Sequence, residues 1–528
     1  MVKINIKLPI GYTAEDIRET VFALLPVGRD ELREYVIEQR RLVLDSHLPP
    51  HYNCTVALSF GEERESGLLK MRNKVSRYEA EIFYSEARCW SFRPVVVGAG
   101  PAGLFAALTL AEAGATPIVL ERGASVEKRA GKVKIFEALG ILDKSSNIQF
   151  GEGGAGTFSD GKLKSGAKDK YKRRVLSEFV LSGANEEITY SDNAHLGTDK
   201  LPSIIRNLRE KIISLGGEFV FEAKMTSLVV KNDAVCGVIY EKDGSLQTIE
   251  TSAVVLAIGH SARDTIRVLK SLGVKMEPHA FGIGMRLEHP REYINKLIYK
   301  EHASKIDITA SYHLVTHLPS GRSVYSFCMC PGGTVVAATS DEGAVVTNGM
   351  SEYSRMADNS NAAILVSVTP EDFGSEDPLA GIALQESIER RAYSLTSEYR
   401  APAFTLGGLL DGKTQNEFSS VIPSYPRGTE IISPYNYLPE YIPDSIKVGI
   451  LDFDAWLPGY LYKDAVLTGP ETRTTSPVRM TRCESGESVS ISGLYPTGEG
   501  AGYAGGIVSS AADGIRQAEK LILKFTKE

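Results

Sequence analysis

One short segment constrains this chain more than any other. Pro94-Val95-Val96-Val97 is an apolar run that ends on Gly98-Ala99-Gly100-Pro101-Ala102-Gly103 and passes straight into a helical pattern reaching about Ala113. A second apolar run, Pro117 to Leu120, leads into Glu121. Strand, glycine turn, helix, strand and acidic residue within roughly thirty positions form the dinucleotide-binding fingerprint. Each position has a cause. Gly98 permits the tight turn, Gly100 lets the backbone approach a pyrophosphate, and Gly103 lets helix and strand pack closely. The helix N-terminus offers free N–H groups to phosphate, and Glu121 is expected on the ribose hydroxyls. Glycines at this spacing alone occur in many turns; the flanking elements make the signal specific.

With 528 residues the chain exceeds one hydrophobic core, so several domains are expected. A hydrophobic fraction of 43% and a charged fraction of 24% are those of an ordinary globular protein and exclude disordered or fibrous classes. No apolar stretch approaches a membrane span, and Met1 to Glu19 is too charged for a secretory signal, which points to a cytoplasmic protein. A net charge of −7 argues against a nucleic-acid partner. Lys162, Lys164, Lys168, Lys170, Lys172, Arg173 and Arg174 form one basic stretch, read as a solvated face or as an attractor for an anionic ligand. Six scattered cysteines fit a reduced protein rather than a disulfide framework.

Residues 1–88 read as a small α/β module. Val2, Ile4, Ile6 and Leu8 alternate with polar residues, and Thr13 to Asp16 caps a helix whose Ile17, Val21 and Leu24 share a face. Tyr35 to Leu44 and Cys54 to Phe60 read as two more strands, giving βαββ. The outline is that of some RNA-binding folds without their aromatic and basic surface, so the module is read as structural or docking.

Two distant segments add to the fingerprint. Ala253 to His260 is a buried-type strand breaking on Gly259, preceded by an expected strand-helix-strand region from Leu201 to Ser252. Gly493 to Ile507 holds a strand ending in Gly498-Glu499-Gly500, then Gly505-Gly506 and a helix start. The helix N-terminus there would favour negative charge on a reduced flavin, and Glu499 is expected near the ribityl or pyrophosphate region.

Together with Phe150 to Gly161 and Phe327-Cys328-Met329-Cys330-Pro331-Gly332-Gly333, these segments resemble the bacterial family of uncharacterised FAD-dependent dehydrogenases, also called NAD(FAD)-utilising dehydrogenases. The resemblance runs along nearly the whole chain. It implies an α/β architecture: a Rossmann-like FAD-binding domain of the glutathione-reductase type, an inserted mixed α+β substrate or cap domain, and the small N-terminal βαββ domain. The expected boundaries are 1–88, 89–273, 274–467 and 468–528, the second and fourth forming the FAD-binding domain. The resemblance implies non-covalent FAD and names no substrate. Position by position it places Gly98, Gly100, Pro101, Ala102, Gly103, Glu121 and Arg122 at the adenosine and pyrophosphate, and the Met225 main chain at the adenine. Gly154, Gly156, Thr157 and Ser159 fall where the backbone nears pyrophosphate and flavin edge, against a surface-loop reading. Ala257, Gly259, Gly498, Glu499, Gly500, Gly505, Gly506 and Ile507 complete the cofactor set.

The insert opens with strands and carries a helix near Pro378 to Tyr399. Cys328 and Cys330 are read either as a redox pair or as small cavity-lining residues, since i and i+2 of a plain strand lie about 6.5–7 Å apart, too far for an easy disulfide. His313 and His317 sit in a strand-like run, and no metal site is expected. His260 is a candidate proton donor or acceptor, or a hydrogen-bonded turn histidine. Glu471, Arg473 and Arg479, with Asn348 and Arg355 behind them, either hold an anionic or carbonyl substrate or form internal ion pairs. The combined expectation is an FAD-dependent oxidoreductase that moves a hydride between flavin N5 and a small molecule. NAD(P)H is a candidate reductant, although a second glycine fingerprint is missing. The alternative is a non-catalytic FAD-binding scaffold or redox sensor whose N-terminal domain docks a partner or RNA.

Overall fold

The computed structural model describes residues 1–45, 48–71, 74–77, 89–163 and 170–525. At its centre lies a five-stranded parallel sheet in the order Leu494–Pro496, Val254–Leu256, Val95–Val97, Ile118–Leu120, Glu218–Val220. Four of these strands are wholly buried, the edge strand Glu218–Val220 being the exception. That is why the short runs around residues 95, 118 and 254 read as unbroken apolar triplets rather than as alternating patterns.

The helix Pro101–Glu112 crosses between Val95–Val97 and Ile118–Leu120, and the helix Ile507–Phe525 packs on it. Ten successive residues of the first helix, Ala102 to Ala111, are buried, so it is apolar all round. Leu104, Leu108 and Leu110 are nearly inaccessible and contribute about 1.5–3 kcal/mol each through burial. Helices Lys170–Leu181 and Leu201–Ser214 close the same face of the sheet. The opposite face carries a three-stranded antiparallel sheet, Lys224–Lys231, Ala234–Lys242 and Ser245–Glu250. The expected strand-helix-strand order between Leu201 and Ser252 is corrected by this: the helix comes first and four strands follow.

Met276–Pro278 and Val478–Met480 pair antiparallel, so the chain leaves the parallel-sheet region and returns to it side by side. Between them lies a mixed seven-stranded sheet with the long strand Phe281–Pro290 near its middle, flanked by Asn359–Val368 and Val466–Glu471. Helices Ala380–Leu395 and Tyr441–Trp456 pack with it into a second core. The expected boundary between 467 and 468 cuts through the strand Val466–Glu471, which belongs to this sheet along its length. Proline and glycine inside Leu467-Thr468-Gly469-Pro470-Glu471 hid that strand from a propensity reading.

The N-terminal sheet orders Glu34–Asp45, Leu48–Ser59, Val2–Pro9 and Ser76–Arg77. Thr13 and Asp16 form a reciprocal capping box at the helix Ala14–Leu24. The helix Glu62–Leu68 and the strand Ser76–Arg77 add to the expected βαββ pattern. Arg40 ties this sheet to the remainder of the chain: its amide donates to the Tyr190 carbonyl at 2.7 Å and its guanidinium pairs with Glu187. Among the described residues no helix is long and apolar enough to cross a membrane.

Candidate functional site

The glycine turn owes its shape to close backbone packing. Gly98 sits at φ +103°, a conformation that L side chains rarely adopt, and its amide donates to the Leu120 carbonyl at 2.7 Å. A Cβ on Gly103 would come within 3.0 Å of the Gly98 carbonyl carbon, so helix and turn meet only because both are glycine. The helix N-cap, Gly100, has no side-chain cap, and Pro101 follows at the first helical position. The helix end is thereby left to an outside acceptor.

These elements open onto a cavity of about 230 Å³ that four segments distant in sequence share. Gly98, Gly100, Pro101 and Ala102 line it from the turn, and Ala257, Gly259 and His260 from the end of the strand Val254–Leu256. Glu499, Gly505, Gly506 and Ile507 line it from the C-terminal segment, and Gly154, Gly156 and Ser159 from the glycine-rich loop. Arg122 and Met225 also face it. The Arg122 guanidinium lies 4.2 Å from the Phe150 ring centroid and donates to Asp264 at 2.8 Å.

Other expected contacts lie behind the wall. Gly103 packs on Gly98, and a Cβ on Gly500 would come within 2.6 Å of the Gly259 carbonyl carbon. Gly498 donates its amide to the buried Asp513 at 2.8 Å. Thr157 turns inward, where its hydroxyl contacts the Glu152 carbonyl and the Arg129 guanidinium. Glu121 lines the cavity, but its carboxylate already accepts the amides of Ala99 and Gly123 at 2.8 Å and of Gly151 at 3.0 Å. It therefore fixes the turn and the glycine-rich loop to each other as well as facing the cavity.

The catalytic candidates separate in the same way. His260 faces the cavity with Nδ1 3.5 Å from a Glu499 carboxylate oxygen, and its Nε2 is buried without a partner. Such an atom fits a bound polar group, since an unpaired buried nitrogen costs about 1–3 kcal/mol. Arg473 reaches the cavity wall, but its guanidinium is committed to Glu389 at 2.8 Å, to Asp341 and to Ser340. Arg263 grips the same Glu389 with two bonds of 2.7 Å. Burial opposes ionisation of Glu389, yet Arg473 and Arg263 together hold it well below the usual carboxylate range. Glu471 pairs with Arg286 through both carboxylate oxygens. The internal ion-pair reading thus describes both Glu471 and Arg473. Arg355 is likewise bound to Asp160 at 2.6 Å, and Arg479 donates to the Gly502 carbonyl.

Cys328 faces the cavity half-buried, whereas Cys330 is fully buried behind it, and both are free thiols. The strand Ser323–Cys330 bulges between Phe327 and Cys330, and Cys328 takes φ +41°. That left-handed conformation costs a non-glycine residue about 1–2 kcal/mol. The plain-strand spacing that argued against contact between the two cysteines does not apply at a bulge.

Sequence reasoning missed Arg286, Arg263, Glu389, Gln149 and Ser261. Ser261 donates to Gln149 at 3.0 Å, and both line the cavity. The available signal for Arg286 was a charge inside the otherwise apolar run Phe281 to Leu287. Of the basic stretch, Lys164 and Lys168 lie outside the described residues, and Arg174 pairs with Glu112. Among the described residues no cluster could hold a metal ion.

Two family models that match the chain name FAD as the cofactor. The model of the family described as FAD binding domain matches residues 93–309. The model described as FAD-dependent protein, C-terminal domain-like, matches residues 280–474. An uncharacterized protein of Clostridium beijerinckii is 47% identical over 436 residues, covering 82% of this chain and 81% of that protein. Solved structures are more distant. A flavoprotein/dehydrogenase from Cytophaga hutchinsonii is 12% identical, with a TM-score of 0.36 over 83% of this chain and 79% of that one. A glycine oxidase from Bacillus cereus is 12% identical, with a TM-score of 0.33 over 83% of this chain and 96% of that one. At those scores the likenesses carry no argument. The glycine turn, the uncapped helix end and the unpartnered His260 nitrogen fit FAD, and the chain belongs, with the Clostridium beijerinckii protein, to a family of FAD-dependent proteins.

Proposed function

We propose that the protein is an FAD-dependent oxidoreductase that transfers a hydride between flavin N5 and a small molecule. The observation that carries this reading is His260, which lines the cavity that the fingerprint opens onto and whose Nε2 is buried and unpartnered. When bound, FAD supplies the two-electron chemistry. The chain does the rest. Gly98 and Gly100 bring backbone to the pyrophosphate, and the N-terminus of Pro101–Glu112 points its free N–H groups there. Glu121 holds the turn and the glycine-rich loop at a fixed spacing. His260, with Glu499 beside Nδ1, takes or gives the substrate proton at Nε2. The segment carrying Phe327 and Cys328 covers the cavity from the seven-stranded sheet and selects the substrate.

The same proposal assigns the FAD-binding fold to the glutathione-reductase type. Residues 89–273 and the C-terminal segment form it, residues 1–88 dock on it, and the insert runs on to Glu471. Support comes from the parallel crossover around Val95–Val97 and from the paired exit and return strands.

The test is an anaerobic titration of the purified flavoprotein with NADH and then with NADPH, followed by flavin absorbance. Saturable bleaching by one of them supports a nicotinamide-coupled oxidoreductase. A bound flavin that neither nicotinamide nor a metabolite screen reduces would overturn the hydride reading.

A further inference from the structure

The buried guanidinium of Arg286 sits at the meeting point of two cysteines. Its Nη1 donates to the Cys328 carbonyl at 2.7 Å and to Asn361 at 3.2 Å, and lies 3.8 Å from the Cys330 sulfur. Its Nη2 donates to Asn348 at 2.7 Å, and Glu471 neutralises it from the neighbouring strand. The Cys330 thiol also reaches back to the Cys328 carbonyl at 3.2 Å, across the bulge. A cation with this many bonds is fixed in place, and the Cys330 thiol and the Cys328 carbonyl are folded against it.

We propose that Cys328 and Cys330 form a redox-active dithiol that opens onto the FAD cavity and passes its two electrons to a low-molecular-weight disulfide.

The two thiols have different tasks. Cys328 is half-buried and lines the cavity, whereas Cys330 is inaccessible. The charged and titratable groups around Cys328 are Cys330 on its own strand, Arg286 on Phe281–Pro290, Glu471 on Val466–Glu471, and Asp160 and Lys162 at the end of the glycine-rich run. The neighbouring Cys330 thiol lowers the Cys328 thiol most; burial opposes this, and the charges of Arg286 and Lys162 add to it, so Cys328 is held below its ordinary value. Cys330 is pushed up in turn by the same hydrogen bond and by burial. Asp160 is tied to Arg355. Cys328 is therefore the attacking thiolate and Cys330 the resolving thiol.

The exchange balances without a further reagent. The Cys328 sulfur attacks one sulfur of the disulfide; a new S–S bond forms, the old one breaks, and the departing thiolate takes up a proton. Cys330 then loses its proton and attacks the Cys328 sulfur, releasing the second thiol. The pair ends as an intramolecular disulfide; its two electrons reside on the two product thiols, of which one carries the Cys330 proton and the other a proton from solvent. None of these steps needs FAD reduction, so failure of the hydride reading and failure of this one are distinguishable.

The experiment equilibrates the FAD-bound protein in glutathione buffers of rising oxidised fraction, quenches with acid, alkylates, and maps every cysteine by mass spectrometry. The peptide holding Cys328 and Cys330 is expected to lose two hydrogens as one reversible transition. Cys330→Ser is expected to collect one glutathione on Cys328, and Cys328→Ser none on Cys330. The exposed Cys89 and Cys483 report ordinary thiol reactivity in the same samples. Flavin absorbance checks that each variant holds its cofactor. A wild-type peptide that stays reduced across the series, or a Cys328 no more reactive at neutral pH than Cys483, would overturn the proposal.

Discussion

Gly98 packs against Ala257 so closely that a side chain at 98 would come within 2.8 Å of the Ala257 carbonyl carbon. The end of one central strand thus rests on the turn that follows its neighbour, and the Ala257 amide donates to the Val97 carbonyl at 2.8 Å. Gly98→Ala adds a collision to a backbone at φ +103°. It is expected to lower stability by about 1–3 kcal/mol, as overpacking does, and to abolish FAD retention. Chemical denaturation and the flavin absorbance of the purified variant check both.

Gly505 provides the opposite case. A Cβ there meets nothing within 4 Å, and its φ is not in the left-handed region, yet the residue lines the cavity. Gly505→Ala should leave the stability of the FAD-free protein within about 0.5 kcal/mol of wild type. FAD affinity should fall about tenfold, equivalent to about 1.4 kcal/mol, because the added methyl occupies space reserved for the ligand. Fluorescence titration of the FAD-free protein measures the second quantity. Unchanged affinity would place FAD away from the C-terminal helix.

Glu389 tests the network behind the cavity wall. It is fully buried between Arg263 and Arg473, so Glu389→Gln leaves two guanidinium groups with too little negative charge. The expected loss is about 3–5 kcal/mol. Its carboxyl is held below its ordinary value in the folded state, so its contribution is complete above the unfolded carboxylate pKa of about 4.3. Below that pH the contribution declines toward the folded value. Denaturant curves of wild type and variant should therefore stay separated from pH 7 down to about 5 and converge under more acidic conditions. A separation that widens in acid would contradict the assignment of charge to Glu389.

What was legible in the sequence and what was not divide along a physical line. Gly98 and Gly103 are visible because a main-chain requirement leaves a residue type at a fixed spacing. The capping pair Thr13 and Asp16 is visible for the same local reason. Arg286 and Glu471 stand 185 positions apart, and Arg263 and Glu389 stand 126 apart, so neither pairing leaves a local pattern. Glu471 and Arg473 line the cavity, but their charges are neutralised by residues that only the fold brings to them. The contact between Cys328 and Cys330 depends on a bulge set by the register of Ser323–Cys330 against Asn359–Val368. No residue in Phe327-Cys328-Met329-Cys330 announces a positive φ.

His260 is where the proposed function is most exposed to test. Its Nδ1 lies 3.5 Å from a Glu499 carboxylate oxygen, and the residue lines the cavity while its Nε2 is buried and unpartnered. In His260→Gln the glycine turn and both helix ends are intact, so FAD affinity should weaken by no more than the value of one hydrogen bond, about 0.5–1.5 kcal/mol. If His260 moves the substrate proton, dye-linked turnover should fall about 10²–10⁴-fold and its pH profile should lose one ionisation. Glu499→Gln should leave turnover between the two, because it removes the orienting charge and leaves the imidazole in place. Steady-state rates from pH 5 to 9, set beside FAD titrations of the same proteins, separate the roles. Turnover by His260→Gln at the wild-type rate would return His260 to a hydrogen-bonded turn residue and move the search for the proton donor to Glu499.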